Sequence, residues 1–159
     1  MKYIKRFENQ QSTLSDNARA SRVAEAMQPV WQPIIGFKNL LKDGADPNEL
    51  NLIQRTPMCM AISGAGTQTQ INKIIDLLVK YGADINLGKT TPLMRAAQLG
   101  MHSVIDHLID LGADWNIKDS DNKTFLRYLD STWRAHLVQK YPDKYEDYLF
   151  HNDVDKYNI

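Results

Sequence analysis

A five-residue pattern, Gly-Ala-Asp-x-Asn, occurs three times in this chain, at residues 44–48, 82–86 and 112–116. A threonine follows each copy, and these threonines, Thr56, Thr91 and Thr124, are spaced by 35 and 33 positions. An internal period of this length is typical of repeat proteins, in which each unit buries its apolar face only against its neighbours. The 159 residues are therefore expected to form a single domain of stacked units.

The unit that begins at Thr91 shows how the pattern predicts local structure. Thr91 is expected to cap a helix by accepting a hydrogen bond from a free backbone N–H, with Pro92 at the first helical position. A short inner helix is predicted over 93–99, and an outer helix over 102–111, where apolar residues recur at helical spacing. Gly112 is predicted to end the outer helix in the left-handed conformation.

The preceding unit, which begins at Thr56, carries extra residues between its two helices. They fall in the polar, glycine-bearing stretch 63–70, which predicts an inserted loop, and the outer helix is predicted to follow over 71–81. The next connection is shortened instead, because it spans 9 positions from glycine to threonine where the other two span 12. The finger-like loop at 87–90 is therefore expected to be reduced.

The repeat boundaries divide the chain into a flexible N-terminus at 1–14, an N-terminal capping unit at 15–48, a repeat with an inserted loop at 49–86, a second repeat at 87–116, a C-terminal capping unit at 117–150 and a flexible tail at 151–159. The capping units lack a complete Thr-Pro signature, as befits terminal units that must present a polar outer side. Helices are predicted over 15–28 and 33–43 in the first capping unit, and over 124–129, 132–140 and 143–150 in the last.

The period, the Gly-Ala-Asp-x-Asn turns and the Thr-Pro helix starts together resemble the ankyrin repeat, over about residues 33–129. The resemblance implies an all-α fold, an ankyrin-repeat solenoid of stacked helix-turn-helix units with short hairpin-like loops. Two positions depart from the family pattern. Histidine commonly follows Thr-Pro-Leu in the family, and this chain has Cys59 and Met94 there, which predicts a more apolar inner layer.

The charge balance narrows the choice of partners. The 19 basic and 19 acidic residues give a formal net charge of zero, whereas nucleic-acid and membrane-surface binders normally carry a basic excess.

The N-terminal stretch 1–11 lacks the apolar segment of a signal peptide, and no stretch approaches the ~20 apolar residues of a membrane span. Cys59, the single cysteine, is interpreted as a buried structural thiol. A cytoplasmic protein is predicted, of its own cell or of a host cell, with no nucleic-acid or membrane partner.

No specific catalytic constellation is present in the sequence, and neither a cofactor nor a bound metal is predicted. His102, Asp106 and His107 form the one cluster of histidine and carboxylate side chains. One turn of helix separates His102 from Asp106, so a metal-dependent hydrolase built on this cluster is an alternative function. The favoured interpretation is that these side chains lie on an outer helix, where they are solvated or paired with a neighbouring helix.

The resemblance implies that a protein partner meets the concave face, which the finger tips and the exposed sides of the inner helices form. Mapped by register, the candidate partner-binding residues are Leu50, Leu52, Ile53, Arg55, Met60, Ser63, Leu87, Lys89, Arg95, Gln98, Leu99, Trp115, Lys118, Asp121, Lys123 and Tyr128. The apolar residues Leu50, Leu52 and Ile53 lie in a segment that a solenoid exposes, so they are interpreted either as an interface or as local packing. Trp115 is interpreted either as an interface anchor or as packing over the last finger.

These residues predict a non-enzymatic protein that binds, and inhibits or adapts, a protein partner and is a monomer when free. A rigid repeat surface suits this role because little conformational freedom is lost on binding. A homo-oligomeric structural protein, joined through Leu50, Leu52 and Ile53, is a further alternative.

Overall fold

The computed structural model describes residues 34–64 and 66–151, so the predicted helix over 15–28 and both predicted flexible ends lie outside the described residues, apart from His151. Within that range the chain forms α1 Ile34–Lys42, α2 Pro57–Ser63, α3 Gln68–Lys80, α4 Pro92–Gln98, α5 His102–Asp110, a 3₁₀ turn Phe125–Tyr128, α6 Ser131–Lys140 and α7 Pro142–His151. None of these described residues forms a β-strand. The predicted all-α class is confirmed.

The helices form two layers. The inner layer consists of α2, α4 and the 3₁₀ turn, and α4 packs against both of the others. In the outer layer α3 packs between α1 and α5, while α2 pairs with α3 and α4 pairs with α5. Successive helix pairs therefore stack side by side, which is the solenoid that the sequence period predicts.

Apolar residues at helical spacing fill the space between the layers. In α3 the side chains of Ile71, Ile75 and Leu78 are fully buried, and their spacing of four and three residues places them on one face. In α5 Ile105 and Leu108 are likewise fully buried. Both outer helices therefore turn an apolar stripe inward, in keeping with the helical spacing of apolar residues that the sequence shows over 102–111.

Threonine caps start the two inner helices, as predicted. Thr56 Oγ1 accepts a hydrogen bond from the backbone N–H of Cys59 at 3.2 Å, and Thr91 Oγ1 accepts one from Met94 at 3.3 Å. At the other end of the unit, Gly112 has a φ of +94°, a conformation that favours glycine and ends the outer helix.

The inserted loop is shorter than the sequence predicts. Helix α3 begins at Gln68 rather than at residue 71, so only 64–67 separate it from α2 instead of the whole stretch 63–70. The cause is a capping box: Thr67 Oγ1 accepts from the backbone N–H of Gln70 at 3.3 Å, and Gln70 Oε1 accepts from that of Thr67 at 3.1 Å. These reciprocal bonds draw polar residues with a loop-like composition into the helix.

The third inner helix, predicted over 124–129, is only a 3₁₀ turn. The Thr124 hydroxyl shares a hydrogen bond with the Tyr148 hydroxyl at 3.1 Å and caps no backbone N–H. Six residues after Thr124, Asp130 caps α6 instead, because its carboxylate accepts from the backbone N–H of Trp133 at 2.8 Å. The last unit therefore replaces a full inner helix with a short turn, and α7 then packs against α6.

The asparagine of the Gly-Ala-Asp-x-Asn turn links one unit to the next, a role that the sequence analysis missed. Asn48 Oδ1 accepts from the backbone N–H of Asp84 at 2.7 Å, and its Nδ2 donates to the carbonyl of Gly82 at 2.9 Å. Asn86 Oδ1 accepts from the backbone N–H of Asp114 at 2.9 Å. Successive turns are thus held together by side chain to backbone hydrogen bonds.

Replacing these asparagines tests the link between the units. Asn86→Ala is expected to lower the free energy of unfolding by about 1 kcal/mol, because one hydrogen bond between units is lost. Asn48→Ala is expected to cost more, because two such bonds are lost. Urea unfolding followed by circular dichroism measures both changes. Equal and negligible losses in the two variants would contradict a role for these bonds in stability.

Candidate functional site

Two apolar side chains project from the loop at 48–55, which we call the first finger. Leu52 is 91% exposed and Ile53 62% exposed, while Leu50 is partly covered. Asn51 Oδ1 accepts from the backbone N–H groups of Ile53 at 3.1 Å and Arg55 at 2.9 Å. This side chain holds the tip in a tight turn, and the turn directs Leu52 and Ile53 outward.

The loop at 117–123, which we call the third finger, has the same turn with a different tip. Asp119 takes the place of Asn51, and its Oδ1 accepts from the backbone N–H groups of Asp121 at 2.8 Å and Lys123 at 3.0 Å. The residue before the closing position has a φ of +59° in both fingers. The tip of the third finger is polar, so the turn does not require the apolar residues of the first finger.

A cavity of about 280 Å³ lies between the first finger, the shortened connection and helix α4. Its lining comprises Ile53, Gln54, Arg55, Cys59, Lys89, Thr90, Arg95, Gln98 and Ser120. Three of these side chains are basic and none is acidic. We call this cavity the basic pocket.

Uncharged groups orient the Arg95 guanidinium in the basic pocket. Its Nε donates to Ser63 Oγ at 2.8 Å, and its Nη1 donates to Gln98 Oε1 at 3.3 Å. Ser63 Oγ in turn donates to the carbonyl of Cys59 at 2.8 Å, so α2 holds the guanidinium of α4 in place. Both acceptors are neutral side chains, so neither of these bonds pairs the guanidinium with a carboxylate.

The Cys59 thiol forms the buried wall of the basic pocket. It is 2% exposed and donates to the carbonyl of Thr90 at 3.3 Å. Burial raises the pKa of the Cys59 thiol above its ordinary value. The prediction of a buried structural thiol is confirmed, and the bond to Thr90 ties the shortened connection to α2.

The sequence-predicted residues differ in exposure and in whether they line the basic pocket. Five of the sixteen candidates line the basic pocket: Ile53, Arg55, Lys89, Arg95 and Gln98. Leu50, Leu52, Leu99, Lys118, Asp121 and Lys123 are exposed, and Met60, Ser63, Leu87 and Tyr128 are half-buried. Four further lining residues, Gln54, Cys59, Thr90 and Ser120, were not among the sixteen candidates. Register places Gln54, Thr90 and Ser120 on the finger loops, but only the structure shows that they line one cavity.

Trp115 does not belong to a partner-binding surface, which corrects one of its two interpretations. The side chain is 4% exposed and packs edge-to-face on Phe125 and Tyr141, with ring centroids 5.2 Å and 6.2 Å apart. Its Nε1 has no hydrogen-bond partner among the described residues. Trp115 is therefore a core residue that joins the last full repeat to the C-terminal unit.

His102, Asp106 and His107 do not converge on one point. His102 stacks on Trp133 with ring centroids 3.9 Å apart, and His107 Nε2 lies 2.7 Å from Asp76 Oδ1 on α3. Asp106 forms an ion pair with Lys140 at 2.9 Å, and its hydrogen bond raises the pKa of that lysine. Across residues 34–64 and 66–151, no three His, Cys, Asp or Glu side chains are placed to hold a metal ion. The three residues therefore pair across the outer helices, as the favoured interpretation expects.

Stacked helix pairs joined by short fingers, with a shaped surface on the finger side, define an α-helical repeat protein. A family model described as "Ankyrin repeats (3 copies)" matches residues 35–119, more than half of the chain. The chain belongs to the ankyrin-repeat family. Repeats of this family are modules of protein–protein interaction.

Two known proteins show how far the similarity extends. The human "Ankyrin repeat and KH domain-containing protein 1" is 35% identical over 75 residues, which is 47% of this chain but only 3% of that protein. The crystal structure of the ankyrin repeat domain of Bcl-3, titled a unique member of the IkappaB protein family, superposes with a TM-score of 0.63 at 21% identity. The superposition covers 80% of this chain and 56% of the Bcl-3 chain, and at this identity it supports the fold alone. In the part of the chain that the structure describes, no helix is long and apolar enough to cross a membrane.

Proposed function

We propose that this chain is a non-enzymatic module that binds a protein partner through the first finger and the exposed side of its inner helices. By covering that partner's surface it inhibits or adapts the partner. The observation that supports this most is the exposure of Leu52 and Ile53 on a turn that does not require apolar residues. Exposed apolar side chains on a rigid support are typical of interaction sites.

The hydrogen bonds of the first finger support the proposal. Asn51 holds the tip through two side-chain bonds, and the backbone N–H of Asn51 donates to the carbonyl of Arg55 at 3.0 Å. A tip that is already ordered loses little conformational entropy on binding, so more of its contact energy appears as affinity. The free thiol of Cys59 is in keeping with action in the cytoplasm, of its own cell or of a host cell.

Replacing the exposed pair by serine tests the binding face. Capture of the specific partner from a native-cell lysate, quantified by mass spectrometry, is expected to fall about tenfold or more in Leu52→Ser/Ile53→Ser, because both apolar contacts are lost. Phe150→Ser is the matched control, since Phe150 is 83% exposed but lies on α7. Capture that survives the double substitution, or that Phe150→Ser reduces equally, would contradict the proposed face.

The same exposed pair also favours a second candidate, self-association through the first finger. Two copies that meet at Leu52 and Ile53 would bury the apolar tips against each other. Light scattering of the purified chain separates the two candidates. A monomer at high micromolar concentration supports the partner-binding module, and a dimer that Leu52→Ser/Ile53→Ser dissociates supports self-association.

A further inference from the structure

The basic pocket concentrates positive charge on a chain that is neutral as a whole. Arg55, Lys89 and Arg95 line it together, although the 159 residues contain 19 basic and 19 acidic side chains. They come from three separate segments: the end of the first finger, the shortened connection and the middle of α4. The fold, rather than the local sequence, brings these three charges together.

No described carboxylate lies within ion-pair distance of these three side chains. The nearby acidic groups of the third finger are already engaged. Asp119 accepts hydrogen bonds from the Tyr128 hydroxyl and from two backbone N–H groups, and Asp121 pairs with Lys123 at 3.4 Å. Among the described residues, therefore, no carboxylate neutralises the three basic side chains of the pocket by a direct ion pair.

The surroundings of the charges indicate the kind of ligand. Ile53 lines the pocket beside the basic groups, and Leu52 projects next to it. A carboxylate suits this arrangement because an arginine fork binds it in a directed geometry, and an apolar neighbour on the same ligand would contact the finger. None of the described residues that line the pocket is aromatic, whereas single-stranded nucleic acids are typically held by base stacking on aromatic rings.

The size of the pocket fits part of a peptide. Its volume of about 280 Å³ lies at the lower limit of small-molecule sites, which span about 300–1,000 Å³. One or two side chains of an extended segment fill such a space, while the rest of the segment lies on the surrounding face.

We propose that the basic pocket receives an acidic peptide segment of the protein partner, with carboxylates on Arg55, Lys89 and Arg95 and an apolar residue against Leu52 and Ile53. This inference rests on the proposed function and specifies the chemistry of the partner. The charges contribute to specificity and association rate, and the apolar contact contributes affinity.

A random 16-residue peptide display library, selected against the immobilised full chain, tests this proposal. Selected peptides are expected to carry two or more Asp or Glu residues next to a large apolar residue. The strongest peptide is then synthesised with its acidic residues intact and with Gln and Asn in their place. Fluorescence anisotropy is expected to show at least about tenfold weaker binding of the neutral version, and weakening of the acidic one at high salt.

Variants of the chain show where the peptide binds. Arg55→Gln/Lys89→Gln/Arg95→Gln is expected to weaken the acidic peptide at least about tenfold, because three partly exposed charge contacts are lost. Lys89→Gln alone, at an exposed position, is expected to weaken binding of the acidic peptide about threefold, and it serves as a check against misfolding of the triple variant. Lys73→Gln, an exposed lysine on the outer helix α3, is the matched control and should leave binding unchanged.

Several results would overturn the acidic-segment proposal. One is a selection that yields no peptide. Another is an acidic peptide that binds the triple variant and the wild type equally, and a third is displacement of the peptide by a dT16 oligonucleotide. Neutral peptides that lose binding in Leu52→Ser/Ile53→Ser would overturn it as well while leaving the proposed function intact. Failure of the proposed function itself would show separately, as partner capture that does not depend on the first finger.

Discussion

Trp115→Ala is expected to lower the free energy of unfolding by about 3–5 kcal/mol, the typical cost of removing a large buried aromatic side chain. The side chain is 4% exposed and contacts Phe125 and Tyr141 edge-to-face. Its loss leaves a cavity between the last full repeat and the C-terminal unit, so the C-terminal unit is expected to loosen first. Urea unfolding followed by circular dichroism measures the loss.

Trp115→Phe provides the matched control. It keeps an aromatic ring against Phe125 and removes an indole N–H that bonds to no described group, so the loss is expected to be only about 1–2 kcal/mol. A Trp115→Ala variant with wild-type stability and impaired partner capture would return this residue to the binding surface.

Leu108→Ala is expected to lower the free energy of unfolding by about 3 kcal/mol. Leu108 is fully buried in α5, and truncating it loses apolar contact and leaves a cavity that the packed layers fill only partly. The measurement is again urea unfolding, with hydrogen exchange to show whether α3, which packs against α5, loses protection as well.

Leu111→Ala, three residues further along the chain, is the control for Leu108→Ala. Leu111 is 37% exposed at the end of the same helix, so its truncation is expected to cost about 1 kcal/mol or less. Equal losses at the two positions would show that α5 does not turn its apolar stripe inward as the structure describes.

The sequence predicts the parts of the fold that depend on neighbouring residues. Thr56 and Thr91 cap helices through bonds to backbone groups three residues away. Gly112 ends a helix because its own φ is positive, and the apolar spacing of α5 is visible within nine residues. Such features need only the local chain, and the repeat period then stacks them in order.

The features that the sequence analysis missed depend on side chains meeting across the chain. Gln70 belongs to a helix because it bonds back to Thr67, and Thr124 loses its capping role because Tyr148 engages its hydroxyl. Trp115 occupies a variable position of the repeat, and only the packing of Phe125 and Tyr141 shows that it is buried. None of these pairings has a spacing that a single sequence would reveal.

The candidate site was predicted as a face but not as a cavity. Register placed Arg55, Lys89 and Arg95 on the concave side, yet their convergence depends on how α4 sits beneath the first finger. The exposure of Leu52 could not be predicted either, because the same sequence is compatible with an exposed side chain and with one that packs locally. Register identifies which residues share a side, whereas the shape between them follows from the packing.

The shortened connection between the two full-length fingers determines the shape of the surface that contains the basic pocket. The basic pocket is lined from Ile53 on the first finger to Ser120 on the third, across the place where a full-length middle loop would stand. The short middle loop thus leaves the basic pocket open between the first and third fingers, and the inner helix α4 forms its floor. In a repeat protein of this kind, a few missing residues in one loop are enough to open a cavity at the surface.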